Sequence, residues 1–213
     1  MLVSIIITTY NYDRFIERAI RSALDQSLSK EFYEIIVVND ASIDKTEDIL
    51  ENYTDDIRVI NLKKNLGLSA ARNHGIRKAK GQFVVFLDAD DYIHRDLIKI
   101  QSVFLNENNL INAVSADYFL VDEFGNHVKH VDASKNPIAC GIMFRKDLLF
   151  DIGLYDEKFR AREEEDLRIR FLKKYNIHNL IIPLYRYRMH DSNLTKNKKV
   201  MGKYKKRLLK KHQ

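Results

Sequence analysis

The run Phe83-Val84-Val85-Phe86-Leu87-Asp88-Ala89-Asp90-Asp91 constrains this chain more than any other segment. Its unbroken apolar part describes a strand covered on both faces, as in a parallel sheet flanked by helices. The run then ends in three carboxylates. In open α/β sheets, ligands bind just beyond the carboxyl ends of the strands. Carboxylates crowded there repel one another unless a cation sits among them. Oxygen donors suit Mg²⁺ or Mn²⁺ and, through the ion, a phosphate-bearing substrate. The competing reading is an acidic loop that caps the next helix.

The rest of the first half alternates strand and helix patterns. Strands are expected over 3–8, 34–39, 58–62 and 83–87. Helices are expected over 13–24, over 45–53 behind Asp44 as a cap, and over 68–80. This βαβαβαβ order predicts an α/β fold with a mostly parallel central sheet flanked by helices. The second half, residues 93–195, reads as α+β. It has helices over 96–105, 146–152 and 163–174, a hairpin of 113–121 with 127–131, and one or two strands within 178–189. No linker rich in Pro, Gly or Ser separates the halves, so 1–195 reads as one domain, followed by a basic tail over 196–213.

A chain of 213 residues suits one α/β domain with a substantial core. The tail carries nine Lys and Arg and no acid, which more than accounts for the net charge of +6, so the charge says little about the domain's own ligand. No aromatic-basic motif accompanies it, and nucleic acid is not an expected partner. Cys140 is the single cysteine, which excludes an intramolecular disulfide and a thiolate metal cage. No signal-peptide pattern or membrane-length apolar run is present, which points to the cytoplasm. Val200, Met201, Tyr204, Leu208 and Leu209 recur among the tail's lysines at helical spacing. That pattern fits a basic amphipathic helix on anionic lipid, or a solvated tail.

Other strand tips also carry polar groups. Thr8-Thr9-Tyr10-Asn11 can meet the base or ribose of a nucleotide, or start a turn. In Asn39-Asp40-Ala41-Ser42-Ile43-Asp44, Asp40 can accept a hydrogen bond from a base edge or serve an Asx turn. In the stretch from Asn65 to Gly75, Gly67 permits a tight turn into a helix. Arg72 falls on that helix's first turns, as a base or phosphate contact or as a surface charge.

Taken in order, these segments resemble the GT-A-fold glycosyltransferases of family 2. Residues 4–11 are similar to the family's opening strand and loop. Val38-Asn39-Asp40-Ala41-Ser42 is similar to its base-binding loop, with Asn39 where a second aspartate is usual. Asn65 through Gly75 is similar to its Asn-Gly-Ala-Arg-Asn-Gly pattern, and Leu87-Asp88-Ala89-Asp90-Asp91 to its Asp-x-Asp motif. The resemblance implies transfer of a sugar from a nucleotide diphosphate donor to an acceptor hydroxyl on a saccharide, lipid-linked or protein acceptor, in polysaccharide or glycoconjugate synthesis. It implies nucleotide binding by Thr9, Tyr10, Asn11, Asp40, Arg72, Asp88 and Ala89. It implies a Mg²⁺ or Mn²⁺ ion on Asp90, joined by His190, with Asp91 and Arg188 in support.

The acidic run from Glu163 to Asp166 opens a helix, where the dipole alone favours acids. The family carries a Glu-Asp pair at this place. Alignment on Asp166-Leu167 and Arg170 puts Glu163 and Glu164 on that pair, with Glu164 as catalytic base. A slip of one residue nominates Glu163 or Glu165. A nucleotidyltransferase is the alternative enzyme class, but its glycine-rich phosphate loop has no counterpart in residues 8–13. The Glu at position 164, where Asp is usual, leaves a catalytically silent nucleotide-binding homologue as a further reading.

Overall fold

A computed structural model gives the structure of the protein and describes residues 2–213 except 192, 194 and 195. Four parallel strands build the first half: β1 (Val3–Thr9), β2 (Tyr33–Asn39), β3 (Arg58–Asn61) and β4 (Phe83–Asp88). Every residue of β1 is buried, and only the last residue of β4 is not. That is why their sequences show no alternation: both faces are covered. The covering helices are α1 (Ile16–Leu24), α2 (Thr46–Glu51) and α3 (Leu68–Lys78). In α1, Ile16, Ala19, Ile20 and Ala23 form the buried stripe. Asp44 Oδ1 accepts the Thr46 amide ahead of α2 at 3.0 Å.

The strand order β3-β2-β1-β4 reverses direction at β1. The chain steps outward from β1 through β3, then returns to add β4 on the other side. A crevice opens at such a switch point, beyond the strands' carboxyl ends. The register pairs Thr8 with Asp88 and Thr9 with Asn39, so three tips meet there.

The second half extends the same sheet. It contains β5 (Tyr92–Ile93), α4 (Leu97–Glu107), β6 (Ala113–Val121), β7 (His127–Val131), β8 (Met143–Arg145), α5 (Lys146–Asp151), α6 (Glu163–Leu172), β9 (Ile177–Arg188) and α7 (Lys198–His212). The full order is β3-β2-β1-β4-β8-β6-β9-β5, with β7 also on β6. Here β8 runs antiparallel to β4 and β6, while β9 runs parallel to β6. The mostly parallel expectation therefore holds for the first half, and the second half makes the sheet mixed. Strands β5 and β8 had no sequence signature, because two or three residues cannot display a period. In β9, Pro183 sits where the pairing with β6 shifts register, and Ile181 bulges out to 84% exposure. Its far end carries Tyr185 and Arg188 to the loop after β4.

The basic tail is the helix α7, and it packs on the domain. Tyr204 and Leu208 are buried against Phe159 and Ala161, with Val200 and Met201 partly covered. Lys211 Nζ reaches Asp156 at 2.8 Å and Asp166 at 2.7 Å, and His212 Nε2 meets Asp166 at 2.8 Å. Burial of Asp166 works against its charge, but hydrogen bonds from Lys211, His212 and Arg170 win and hold its carboxyl below the usual range. The stripe expected to face solvent or lipid is therefore largely turned inward, and only Leu209 stays half exposed. Among the described residues, no helix is long and apolar enough to cross a membrane.

This packing makes a prediction. Leu208→Ala should lower unfolding stability by about 2 kcal/mol, at the low end for a buried leucine because the cluster is small. Urea denaturation measures the shift, and an unchanged midpoint would mean that α7 does not hold the domain.

Candidate active site

The loops at the strand tips are tied to one another before any ligand is considered. The Asn11 amide donates to Ser42 Oγ at 3.0 Å, and Asn11 Oδ1 accepts the Ile43 amide at 2.8 Å. Asn11 and Ala41 both adopt left-handed backbone, with φ of 59° and 61°. A non-glycine residue held there signals a loop shaped by its surroundings. Tyr10 stands on the rim, 41% exposed. Thr9 Oγ1 is buried and has no hydrogen-bond partner among the described residues. Asn39 is structural: its side chain donates to Asn61 Oδ1 and accepts the Ser42 amide.

Asp40, the expected base contact, is buried, and its two oxygens accept the Leu66 and Gly67 amides at 2.7 Å each. It anchors the turn into α3, leaving only its second lone pairs for anything else. Gly67 has φ of 90°, and a Cβ there would lie 2.0 Å from Arg160 Nη1. The turn therefore requires glycine.

The three aspartates after β4 divide sharply. Asp88 Oδ1 accepts from Arg72 Nη2 at 2.8 Å, and its side chain remains 30% exposed. Asp90 Oδ2 lies 2.8 Å from His190 Nε2. Asp91 is buried; it accepts from Tyr185 Oη at 2.7 Å and from the Arg188 amide at 2.8 Å. Burial first, then the charges of Asp90 and Asp88, push the Asp91 carboxyl well above the usual range. Asp91 thus braces the loop from behind, while Asp88 and Asp90 line its front. Arg188 donates to the carbonyls of Asp90 at 2.7 Å and Glu123 at 2.6 Å, which fixes the loop. Ala89 is buried between the aspartates.

Arg72 is not a surface residue. It is 1% exposed and bridges the halves, with Nη1 on Glu163 Oε1 and Nη2 on Asp88 Oδ1, both at 2.8 Å. The rings of Phe86 and Tyr155 flank its guanidinium at 5.7 and 5.3 Å. Any ligand it serves is reached through these carboxylates.

Arg162, in left-handed backbone with φ of 59°, turns the chain into α6. The three glutamates that follow take different partners. Glu163 is buried on Arg72, and Glu165 pairs with Arg162. Glu164 forms no ion pair among the described residues. Burial, followed by the charge of Glu163, pushes its carboxyl up to about 7.

Several residues of this arrangement escaped sequence reasoning. Asn73 and Ser69 of α3 pin the segment leading to α6: Asn73 exchanges hydrogen bonds with the Tyr155 backbone, and Ser69 Oγ donates to the Phe159 carbonyl at 2.8 Å. Both lie in the Asn65-to-Gly75 stretch, so their signal was present but their partners were not. Tyr12 lies beside the aspartates, and burial, then the charges of Asp90, Asp88 and Asp91, raise its phenol's pKa. Phe15 packs on the His190 ring at 4.7 Å.

A divalent ion fits this donor set. The Asp90 carboxylate and the His190 ring meet each other at 2.8 Å, so a nitrogen and an oxygen donor stand side by side next to the charges of Asp88 and Asp91 that add to burial in raising the Tyr12 phenol's pKa. Among the described residues no three metal-ligating side chains group together. Two protein ligands are the usual share for an ion whose other ligands are substrate phosphates and water. A hollow of about 290 Å³ beside Asp13, Lys45 and Asp48 is lined by none of these groups.

Comparison with known proteins gives the family and the fold. The family model described as glycosyl transferase family 2 matches residues 4–178. An uncharacterized glycosyltransferase of Rickettsia typhi is 34% identical over 212 residues, covering 91% of this chain and 66% of that protein. A glycosyltransferase of Bacillus subtilis named for teichuronic acid biosynthesis, TuaG, is 30% identical over 212 residues, covering 92% of this chain and 82% of its own. Residues 1–349 of Staphylococcus aureus TarS, solved in complex with UDP, superpose with a TM-score of 0.77 at 25% identity, covering 89% of this chain and 61% of that one. The chain thus spans slightly less than two thirds of the Rickettsia and TarS chains.

The bridge through Arg72 makes a prediction. Arg72→Ala leaves Glu163 buried without its cation and should cost about 3–5 kcal/mol of stability. Thermal or urea unfolding would show it, and a stability equal to wild type would mean that Arg72 is not the tie between the halves.

Proposed function

Because the chain belongs to glycosyltransferase family 2, we propose that it moves a hexosyl unit from a nucleotide diphosphate sugar to an acceptor hydroxyl, with inversion, in the synthesis of a cell-surface polysaccharide or glycoconjugate. The observation that carries the reading is Glu164: among the described residues it is the one glutamate of its run with no ion pair, and burial pushes its carboxyl up to about 7. A general base works best when its pKa is close to the working pH. Its place opposite the strand tips, across Arg72, suits removal of the acceptor's proton as the oxygen attacks the anomeric carbon from the face away from the leaving group. A uracil nucleotide, like that in the TarS complex, is a donor type this site accommodates, with Thr9, Tyr10, Asn11 and Asp40 around the base and Asp88 at the ribose.

Asp90 and His190 are the residues that would hold Mg²⁺ or Mn²⁺. When bound, the ion supplies positive charge to the diphosphate as the glycosidic bond breaks. Asp91, Tyr185 and Arg188 keep Asp90 in place through the loop contacts described above. The absence of glycine from residues 8–13 speaks against a nucleotidyltransferase. We place the domain on the cytoplasmic side, where the exposed lysines of α7 suit peripheral contact with an anionic membrane surface.

Glu164→Gln should lower transfer by about 10²–10⁴-fold while nucleotide affinity stays near wild type. Glu163→Gln and Glu165→Gln test the register. Wild-type turnover should rise with pH and level off above about 7, because only the ionised carboxylate accepts a proton and burial delays its ionisation. Normal turnover in all three variants would leave the acidic run as a helix N-terminus. Separately, Asp90→Asn should abolish Mn²⁺-dependent UDP binding in calorimetry with little change in thermal stability. Retained Mn²⁺-dependent binding would remove Asp90 from the metal site.

A further inference from the structure

A cavity of about 270 Å³ lies between β6, the segment before β8, the start of β9 and one face of α6. Cys140 joins it to the donor side, since this thiol lines the cavity and sits 3.6 Å from Arg72 Nη2. Its walls are largely apolar, with Pro137, Ile138 and Leu172 among them. Among the described residues, Arg168 is the only charged one that lines it. Arg168 lies four residues after Glu164, so the two share a face of α6 one turn apart.

Arg168 differs from its neighbours in having no partner. Arg162 pairs with Glu165, and Arg170 with Asp166. Arg168, half-buried, makes no hydrogen bond, ion pair or ring contact among the described residues. Its guanidinium donors are therefore left to water or to a ligand that brings an acceptor. The carboxylate behind Asn179, Asp117, does not serve: it accepts from the Ala133 amide at 3.0 Å and Asn179 Nδ2 at 2.8 Å, and meets His130 Nε2 at 2.9 Å.

We propose that this cavity is an acceptor subsite for a sugar or alditol unit bearing a phosphate or carboxylate, and that Arg168 binds that anionic group. The assignment rests on the glycosyl-transfer reading and narrows its acceptor to an anionic polymer. The guanidinium fork matches both anions geometrically. The apolar walls suit the sugar or alditol carbons, and the volume is near the lower end for small-molecule pockets. One helical turn separates the gripped group from Glu164, so the hydroxyl to be glycosylated lies on the same acceptor unit or the next.

The test is binding by the full chain, with UDP and Mn²⁺ present, of three probes: a ribitol phosphate oligomer, a glucuronic acid oligomer and an uncharged N-acetylglucosamine oligomer. Wild type should bind at least one anionic oligomer about tenfold or more tightly than the uncharged one, as expected for a charge-assisted hydrogen bond. Arg168→Ala should erase that preference, Arg168→Lys should keep part of it, and Ser134→Glu, which puts a negative charge at the cavity wall, should also erase it. Equal preferences in wild type and Arg168→Ala, or no anionic preference in wild type, would overturn the subsite. So would inorganic phosphate binding as tightly as the oligomers, which would mark a free-anion site. UDP and GDP affinities are read alongside. Failure of wild type to bind UDP and GDP alike would defeat the glycosyl-transfer reading itself, whereas intact nucleotide binding with no anionic preference defeats the subsite alone.

Discussion

The site depends on one buried guanidinium. Arg72 holds Asp88 at the tip of β4 with one nitrogen and Glu163 at the head of α6 with the other. These carboxylates lie 75 residues apart in sequence (163 − 88) and belong to the two halves of the sheet. Burying an Arg is costly unless each of its faces finds a partner. Here two carboxylates, a thiol and two aromatic rings partner it, while its buried Nε has no hydrogen-bond partner among the described residues. The same bridge ties Asp88 to Glu163, the residue next to Glu164.

Helix α3 acts as the frame around this bridge. Asp40 anchors its first turn, Ser69 and Asn73 hold the segment that leads into α6, and Arg72 projects between them. Small residues on α3 allow the close approach: Ala70, Ala71 and Gly75 are buried, and a Cβ on Gly75 would lie 2.5 Å from the Ile6 side chain. The stretch from Asn65 to Gly75 therefore also serves as the joint between the two halves.

The same economy separates carboxylates by task. Asp91 and Glu163 are both buried, and burial is the first cause raising each of their pKa values, yet both are satisfied by donors within the protein. Asp88, Asp90 and Glu164 keep capacity for something from outside. Charged groups at the mouth of a cleft titrate where their environments push them apart, and that separation distinguishes a base from its supports.

The sequence by itself determined the layered fold and the place of the site. Apolar runs at 3–8, 34–39 and 83–87 are long enough to define buried parallel strands, and the polar residues at their ends mark the crevice. The segment order also carried the family resemblance. Sequence did not say which polar group would face a ligand. Asp40 and Arg72 read as ligand contacts, and the fold also gives them partners within the protein: Leu66 and Gly67 for one, Asp88 and Glu163 for the other. Nor did it separate Glu164 from Glu163 and Glu165, because all three fit a helix N-terminus equally and only their partners differ. The tail's lysines read as solvent-facing, while Tyr204, Leu208 and Lys211 found Phe159, Asp156 and Asp166 on the domain. Periodicity is local and survives in the sequence. Hydrogen-bond and ion-pair partners are set by which segments the sheet brings together, and only the tertiary structure decides them.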